Sequence, residues 1–149
     1  MRKINLIVIH CSATRVDRDY SPDQLIRDHR DRGFSYAGYH FYIRKSGYRV
    51  PLRPIDQAGA HAIGYNANSI GICYEGGIDI KGKPADTRTS MQKAELLDLI
   101  RELKRSFPTA KIKGHRDLSP DLNNNGIIEE NEWVKTCPCF DAQKEYKII

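Results

Sequence analysis

Apolar positions along the chain fall into short blocks, some at the spacing of strands and others at that of helices. A largely apolar block near the start of the chain has the length of a strand. Further along, an aromatic-rich segment and the segment that follows it lie on either side of a Ser46-Gly47 turn, which predicts a β-hairpin. Two more short apolar blocks follow later in the chain. The predicted strands are Ile4–Ile9, Tyr39–Arg44, Tyr48–Leu52, Ser69–Tyr74 and Ala110–Lys113.

Two helices are predicted between these strands. Ser21 is a typical N-cap, Pro22 suits the first helical position, and the helix should end near Arg32 at Gly33. A second helix should begin at a Thr89 capping box and bury apolar side chains spaced three and four residues apart: Leu96, Ile100, Leu103 and Phe107. The pattern predicts an α/β fold, a single domain with a mixed central sheet of about five strands flanked by helices.

Length and charge narrow the class of protein. The chain has 149 residues, 40% of them apolar, which suits one domain with one core over residues 1–149. The formal net charge is +5, but no block of five like charges occurs, which argues against a nucleic-acid-binding arm. A mild attraction to an acidic polymer, such as a bacterial wall, is compatible with this charge.

The short apolar runs argue against a membrane protein. Leu6–Ile9 is the longest apolar run near the start, and it is far shorter than the ~7–15 residues of a signal-peptide core. We therefore expect a chain made in the cytoplasm without a signal peptide and without membrane insertion, and we expect a monomer. Action on a cell wall would then require release or export by another agent.

The cysteines indicate metal chemistry better than disulfides. Cys137 and Cys139 are two residues apart, a spacing that rarely closes a disulfide, and four cysteines are few for a secreted disulfide scaffold. Cys137 together with His10 and His115, each placed at the end of a predicted strand, forms a ligand set suited to zinc. Three protein ligands leave a fourth position for water or substrate, which is typical of catalytic zinc.

Six short motifs, in order, carry a resemblance to a known family. The motifs are Ile9-His10-Cys11-Ser12-Ala13-Thr14, Gly38-Tyr39-His40-Phe41, Gly59-Ala60-His61, Gly64-Tyr65-Asn66 with Asn68-Ser69-Ile70-Gly71, Gly114-His115-Arg116, and Lys135-Thr136-Cys137-Pro138 with Phe140-Asp141. With these motifs the sequence resembles the N-acetylmuramoyl-L-alanine amidase type 2 family, the zinc amidase superfamily of amidase-type phage lysozymes and peptidoglycan recognition proteins, and most of all its phage branch.

The resemblance implies roles for particular residues. His10, His115 and Cys137 match the zinc ligands, while Tyr39 and Lys135 match the two residues that the phage branch places around the reacting carbonyl. The implied reaction is hydrolysis of the amide between N-acetylmuramic acid and L-alanine in peptidoglycan. His61 and Asn66 become candidates for substrate contact, with Asn66 alternatively holding its own loop.

The identity of the general base stays open. Another branch of the family has a catalytic glutamate where this chain has Cys73, and Glu75 lies two residues further along the strand as a weak substitute. Cys139 could bind the metal in place of Cys137, although Cys137 is the cysteine that stands two residues after Lys135 and directly before Pro138, as in the family motif.

A loop between His115 and Lys135 fits the calcium-binding pattern of an EF-hand. In this inserted stretch, residues 121–132, Gly126 occupies the sixth position, where a sharp turn is needed. The candidate calcium ligands are Asp121, Asn123, Asn125, Ile127 through its carbonyl, and Glu132. Pro120 prevents an ordinary incoming helix, and an Asn-rich surface turn is the alternative interpretation.

Other functions explain fewer motifs. A non-catalytic peptidoglycan-binding module is the main alternative, since recognition members of the superfamily lose the cysteine ligand, but Cys137 and Lys135 are both present here. A thiol redox protein using Cys137-Pro138-Cys139 would leave the other motifs unexplained. Neither the preferred peptide stem nor the biological role follows from the sequence.

Overall fold

A mixed five-stranded sheet forms the centre of the structure, a computed structural model that describes residues 2–149. Its strands are β1 (Leu6–Cys11), β3 (Phe41–Ile43), β4 (Arg49–Pro51), β5 (Ser69–Tyr74) and β7 (Lys111–Gly114), while β2 (Thr14–Arg15) and β6 (Gly77–Ile78) form a separate small pair. The order is β4-β3-β5-β1-β7, and only the β3–β4 hairpin is antiparallel within it. The predicted α/β architecture is confirmed.

Three helices accompany the sheet, and local capping explains where the two long ones begin. Helix α1 (Pro22–Asp31) begins after Ser21, whose hydroxyl accepts the Gln24 N–H at 3.1 Å. Helix α2 (Ser90–Ser106) begins at the predicted capping box, in which Thr89 and Gln92 satisfy each other's free backbone N–H groups. A short helix α3 (Ala142–Glu145) follows near the end of the chain.

The main core lies between the sheet and α2. Strands β1 and β5 run parallel at its centre, and their alternating isoleucines pack beside the buried leucines of α2. A smaller cluster around Leu25, Tyr42 and Cys73 lies under α1 on the other face. Because both faces of β1 and β5 are covered, the polar side chains near their carboxyl ends, such as His10, are buried too.

A buried arginine fastens the end of the chain to this framework. The Arg88 side chain is 1% exposed, lies 3.3 Å above the Phe140 ring and forms ion pairs with Asp86 and Glu145 at 2.7–2.9 Å. A charge as buried as Arg88 needs such partners, because an unpaired charge in the interior is costly. The clamp therefore holds the segment after Cys137 against the sheet.

The structure corrects some predicted boundaries. Strand β1 continues through Cys11, so His10 lies within the strand and not after it, and Tyr39 precedes β3. The structure also contains β6, between β5 and α2, and α3, after Cys137, where no element was predicted. These two elements are two and four residues long, too short for any hydrophobic period to reveal them.

None of the helices within residues 2–149 combines the length and the apolar character needed to cross a membrane.

Candidate functional site

Three side chains converge at one edge of the sheet. The ligand atoms of His10, His115 and Cys137 all lie within 4.8 Å of one another. Strands β1 and β7 are parallel neighbours with Ile9 paired to Gly114, so the next residue of each chain segment is a histidine, and the two rings lie 4.6 Å apart. The parallel register thus brings together His10 and His115, which are 115 − 10 = 105 positions apart in the sequence.

Cys137 lies just before the segment that Arg88 holds through Phe140 and Glu145. Its sulfur accepts the Cys11 N–H at 3.1 Å, and its carbonyl oxygen accepts the Arg116 N–H at 2.9 Å. These two backbone contacts fix where the Cys137 sulfur points. Cys139 points elsewhere: its sulfur lies 4.0 Å from the Cys11 sulfur and 3.5 Å from the Gly77 carbonyl oxygen.

The two histidines are held in the neutral form that can bind a metal. Burial lowers the pKa of His10 well below its usual value, with the neighbouring His61 and His115 acting in the same direction. Burial and then Lys135 lower the pKa of His115 to about 4. Near neutral pH, each ring therefore carries one lone pair without first losing a proton.

This donor set suits zinc. Two imidazole nitrogens and one thiolate are borderline-soft ligands of the kind that zinc takes, and all four cysteines are free thiols. Residues 2–149 contain one such convergence of three His, Cys, Asp or Glu ligand atoms. Three ligands leave one position of a tetrahedral ion for water or substrate.

Tyr39 lies directly beside this centre. Its ring is 5.0 Å from the His10 ring and 5.3 Å from the His29 ring, and its side chain packs against the small core cluster that contains Cys73. Burial, followed by the neighbouring thiols Cys73 and Cys137, raises the pKa of Tyr39 well above 10. The hydroxyl keeps its proton at neutral pH, so Tyr39 can donate a hydrogen bond but cannot act as a base.

A groove of about 530 Å³ opens beside His115, one of the three candidate ligands. His115 and Lys135 line it together with His61 and Asn66, so four of the residues predicted from sequence face one cavity. Lys135 is exposed, and its ammonium group is free to reach a bound molecule. The groove is the place where a substrate could approach the three ligands.

The contacts of Asn66 match the loop-holding alternative. Its side-chain oxygen accepts hydrogen bonds from the N–H groups of His61 and Ala62 at 2.9 and 3.0 Å.

His61 lies behind His10: its Nδ1 is 2.8 Å from His10 Nε2, and its Nε2 is 3.1 Å from the Ser69 hydroxyl. The sequence contains no local signal for these contacts, because His10 and His61 are 51 positions apart.

The Glu75 carboxylate accepts hydrogen bonds from other parts of the chain. The carboxylate is 1% exposed and accepts hydrogen bonds from Arg44 Nε and from the backbone N–H groups of Tyr20 and Lys45. Burial works to raise the pKa of Glu75, but these hydrogen bonds together hold it below the usual range. Both oxygens hold loops against the sheet, and Glu75 is not among the residues that line the groove.

The loop at residues 121–132 is closed by hydrogen bonds among its own groups. Asp121 accepts the Gly126 N–H at 2.8 Å, Gly126 has a φ of +81°, and the buried Glu132 carboxylate accepts the N–H groups of Leu122 and Glu129. The second Asp121 oxygen is buried with no protein partner. These contacts organise the loop without an ion, and calcium binding there stays a prediction.

The base of this loop is anchored next to the site. The Arg116 guanidinium lies 3.9 Å from the centre of the Trp133 ring, and the Val134 N–H donates to the Ser119 hydroxyl at 3.0 Å. Lys135 follows directly, so these contacts place it at the groove.

Comparison with known proteins finds relatives of this chain in both sequence and structure. The N-acetylmuramoyl-L-alanine amidase family model matches residues 1–139. An endolysin of Enterobacteria phage K11 is 36% identical over 139 residues, covering 93% of this chain and 83% of the relative. The solved structure of the N-acetylmuramoyl-L-alanine amidase LysC from Clostridium intestinale superimposes with a TM-score of 0.73 at 30% identity, covering 97% of this chain and 82% of that one.

A more distant likeness concerns the fold alone. The Drosophila protein PGRP-LB has a TM-score of 0.72 at 22% identity, covering 97% of this chain and 80% of that one. With the family match across residues 1–139, this chain belongs to the N-acetylmuramoyl-L-alanine amidase family.

Proposed function

We propose that this protein hydrolyses the amide bond between N-acetylmuramic acid and L-alanine in bacterial peptidoglycan, using a zinc ion held by His10, His115 and Cys137. The observation that carries the proposal is the convergence of these three ligand atoms within 4.8 Å beside a groove. Family membership and the endolysin relative support peptidoglycan as the substrate.

Zinc bound there would supply a Lewis acid for the scissile carbonyl and would lower the pKa of an attacking water. The chain's own residues bind and orient the substrate and stabilise charge. Attack on an amide carbonyl places negative charge on its oxygen, and preorganised donors aimed at that oxygen lower the barrier. Tyr39, which keeps its proton, and the exposed Lys135 ammonium are the donors that we assign to this task.

The groove gives the substrate a defined approach. His115 and Lys135 lie in its wall, so a peptide stem bound along the groove would bring its first amide to the ligands. Asn66 contributes by holding the loop that forms one side, through the two backbone N–H groups it accepts. His61 and Asn66 both line the groove wall, and of the two we propose direct contact with the substrate for Asn66 alone.

A digest of purified peptidoglycan tests this function. We expect release of free stem peptides with a new L-alanine amino terminus, and glycan strands left uncut, as measured by mass spectrometry and amine labelling. Chelation should abolish this release, and added zinc should restore it.

The main alternative would show itself in the same assay. A peptidoglycan-binding module would sediment with the polymer but release no peptide. A metal-free protein that releases peptide at the full rate would contradict the role of zinc.

We also propose that the protein acts on the cell wall after release or export by another agent, as a monomer. The endolysin relatives support action on the wall. The oligomeric state is checked by light scattering of the purified protein.

Calcium binding in the loop at residues 121–132 gives a separate prediction. Millimolar calcium should raise the melting temperature, because an ion at a hundredfold excess over its Kd stabilises the folded state by about 2.7 kcal/mol, or roughly 5–10 °C for a chain of this size. Differential scanning calorimetry measures the shift. The buried Asp121 oxygen without a protein partner is the observation that favours an ion.

Two variants sharpen that measurement. Glu132→Ala should remove the calcium response while zinc stays bound, whereas Glu130→Ala, an exposed neighbour outside the ligand pattern, should keep it. A parent protein whose melting temperature ignores calcium would show that the hydrogen bonds alone close this loop.

A further inference from the structure

We propose that His61 is a positioning residue that sets which nitrogen of His10 faces the metal. The inference rests on the proposed function. His61 Nδ1 and His10 Nε2 are 2.8 Å apart, and both rings are buried. A nitrogen engaged in this hydrogen bond is not available as a ligand, so Nδ1 is the His10 atom left for zinc.

The direction of this hydrogen bond decides whether His10 can bind a metal at all. A neutral imidazole has one N–H group and one lone pair. If His10 carries its proton on Nε2 and donates to His61, its Nδ1 lone pair is free. If His61 donates instead, the His10 proton lies on Nδ1 and blocks that nitrogen as a ligand.

Ser69 completes the arrangement that suits a metal. When His61 accepts on Nδ1, its own proton lies on Nε2, which is 3.1 Å from the buried Ser69 hydroxyl. Ser69 can accept there, so both His61 nitrogens are paired and only His10 Nδ1 is left free for the metal. Metal-binding histidines usually donate their second N–H to a partner that fixes the ring, and here a second histidine is that partner.

The His61 ring has little freedom to move. A Cβ atom added at Gly71 or at Gly59 would lie 2.7 Å from His61 ring carbons, so the ring rests directly on both backbones. Asn66 holds the His61 backbone N–H as well. Both ring nitrogens are therefore engaged inside the protein.

Two substitutions at one position separate positioning from substrate contact. His61→Phe keeps a ring but removes the acceptor, whereas His61→Asn offers an oxygen close to the position of Nδ1. We expect His61→Phe to weaken zinc binding about 10–100-fold, the usual effect of losing such a partner, and His61→Asn to recover most of it. Zinc Kd is measured by competition with a chromophoric chelator, alongside the melting temperature of each metal-free protein.

A second site and a kinetic readout complete the test. Ser69→Ala removes only the last acceptor, so it should weaken zinc binding in the same direction but less than His61→Phe, and it carries the test if the phenylalanine variant does not fold. With saturating zinc, the KM of His61→Phe for muropeptides should match that of the parent.

The opposite pattern would overturn the inference. If His61→Phe and Ser69→Ala bind zinc as tightly as the parent while KM rises at position 61, His61 contacts substrate and does not position His10. A parent protein that binds no zinc would instead refute the metal role in the proposed function, and the inference with it.

Discussion

Replacing Cys137 by alanine is expected to remove the zinc and with it all measurable amidase turnover. The sulfur is the one anionic ligand of the three, and it already accepts a backbone N–H from Cys11 at 3.1 Å. Two neutral imidazoles alone form a poor zinc site, because structural and catalytic sites rely on at least three protein ligands. Metal content should fall from about one zinc per chain to about none.

Cys139→Ala is the matched control, two residues away. The Cys139 sulfur lies beside Cys11 and the Gly77 carbonyl, outside the group of metal ligands, so this variant should keep both zinc and activity. Inductively coupled plasma mass spectrometry of dialysed protein and the peptidoglycan digest measure the two quantities. Zinc retained by Cys137→Ala but lost by Cys139→Ala would reverse the ligand assignment.

Tyr39→Phe and Lys135→Ala should leave zinc in place and still lower kcat about 10²–10³-fold each, the usual effect of losing one donor to a developing oxyanion. Tyr39→Phe removes only a hydroxyl, while the ring that packs against His10 and His29 stays. Burial keeps the Tyr39 pKa well above 10, so the hydroxyl is a donor near neutral pH and its removal deletes a donor and not a base.

Steady-state kinetics on muropeptides, together with zinc content and melting temperature, measure these effects. Tyr48→Phe and Lys81→Ala are controls of the same chemistry at exposed positions away from the groove, and they should match the parent. Parent-like kcat in both Tyr39→Phe and Lys135→Ala would remove these two residues from the reaction.

The sequence alone determined the features that depend on neighbours along the chain. Ser21 and the Thr89 capping box predicted the starts of both long helices because capping involves residues two or three positions apart. Strand β5 was predicted with its exact observed bounds, Ser69–Tyr74, from a short apolar run between polar segments. The family motifs, also local, named the residues that converge on the site.

Tertiary structure decided the contacts between residues that are distant in sequence. Spacing could not distinguish Cys137 from Cys139 as the ligand, but the fold directs one sulfur toward His10 and His115 and the other toward Cys11. Strand alternation left Glu75 as a candidate base, and only the fold shows its carboxylate held by the Tyr20 loop and Arg44. A hydrogen bond or ion pair across the sheet depends on register and side-chain packing, which no local pattern encodes.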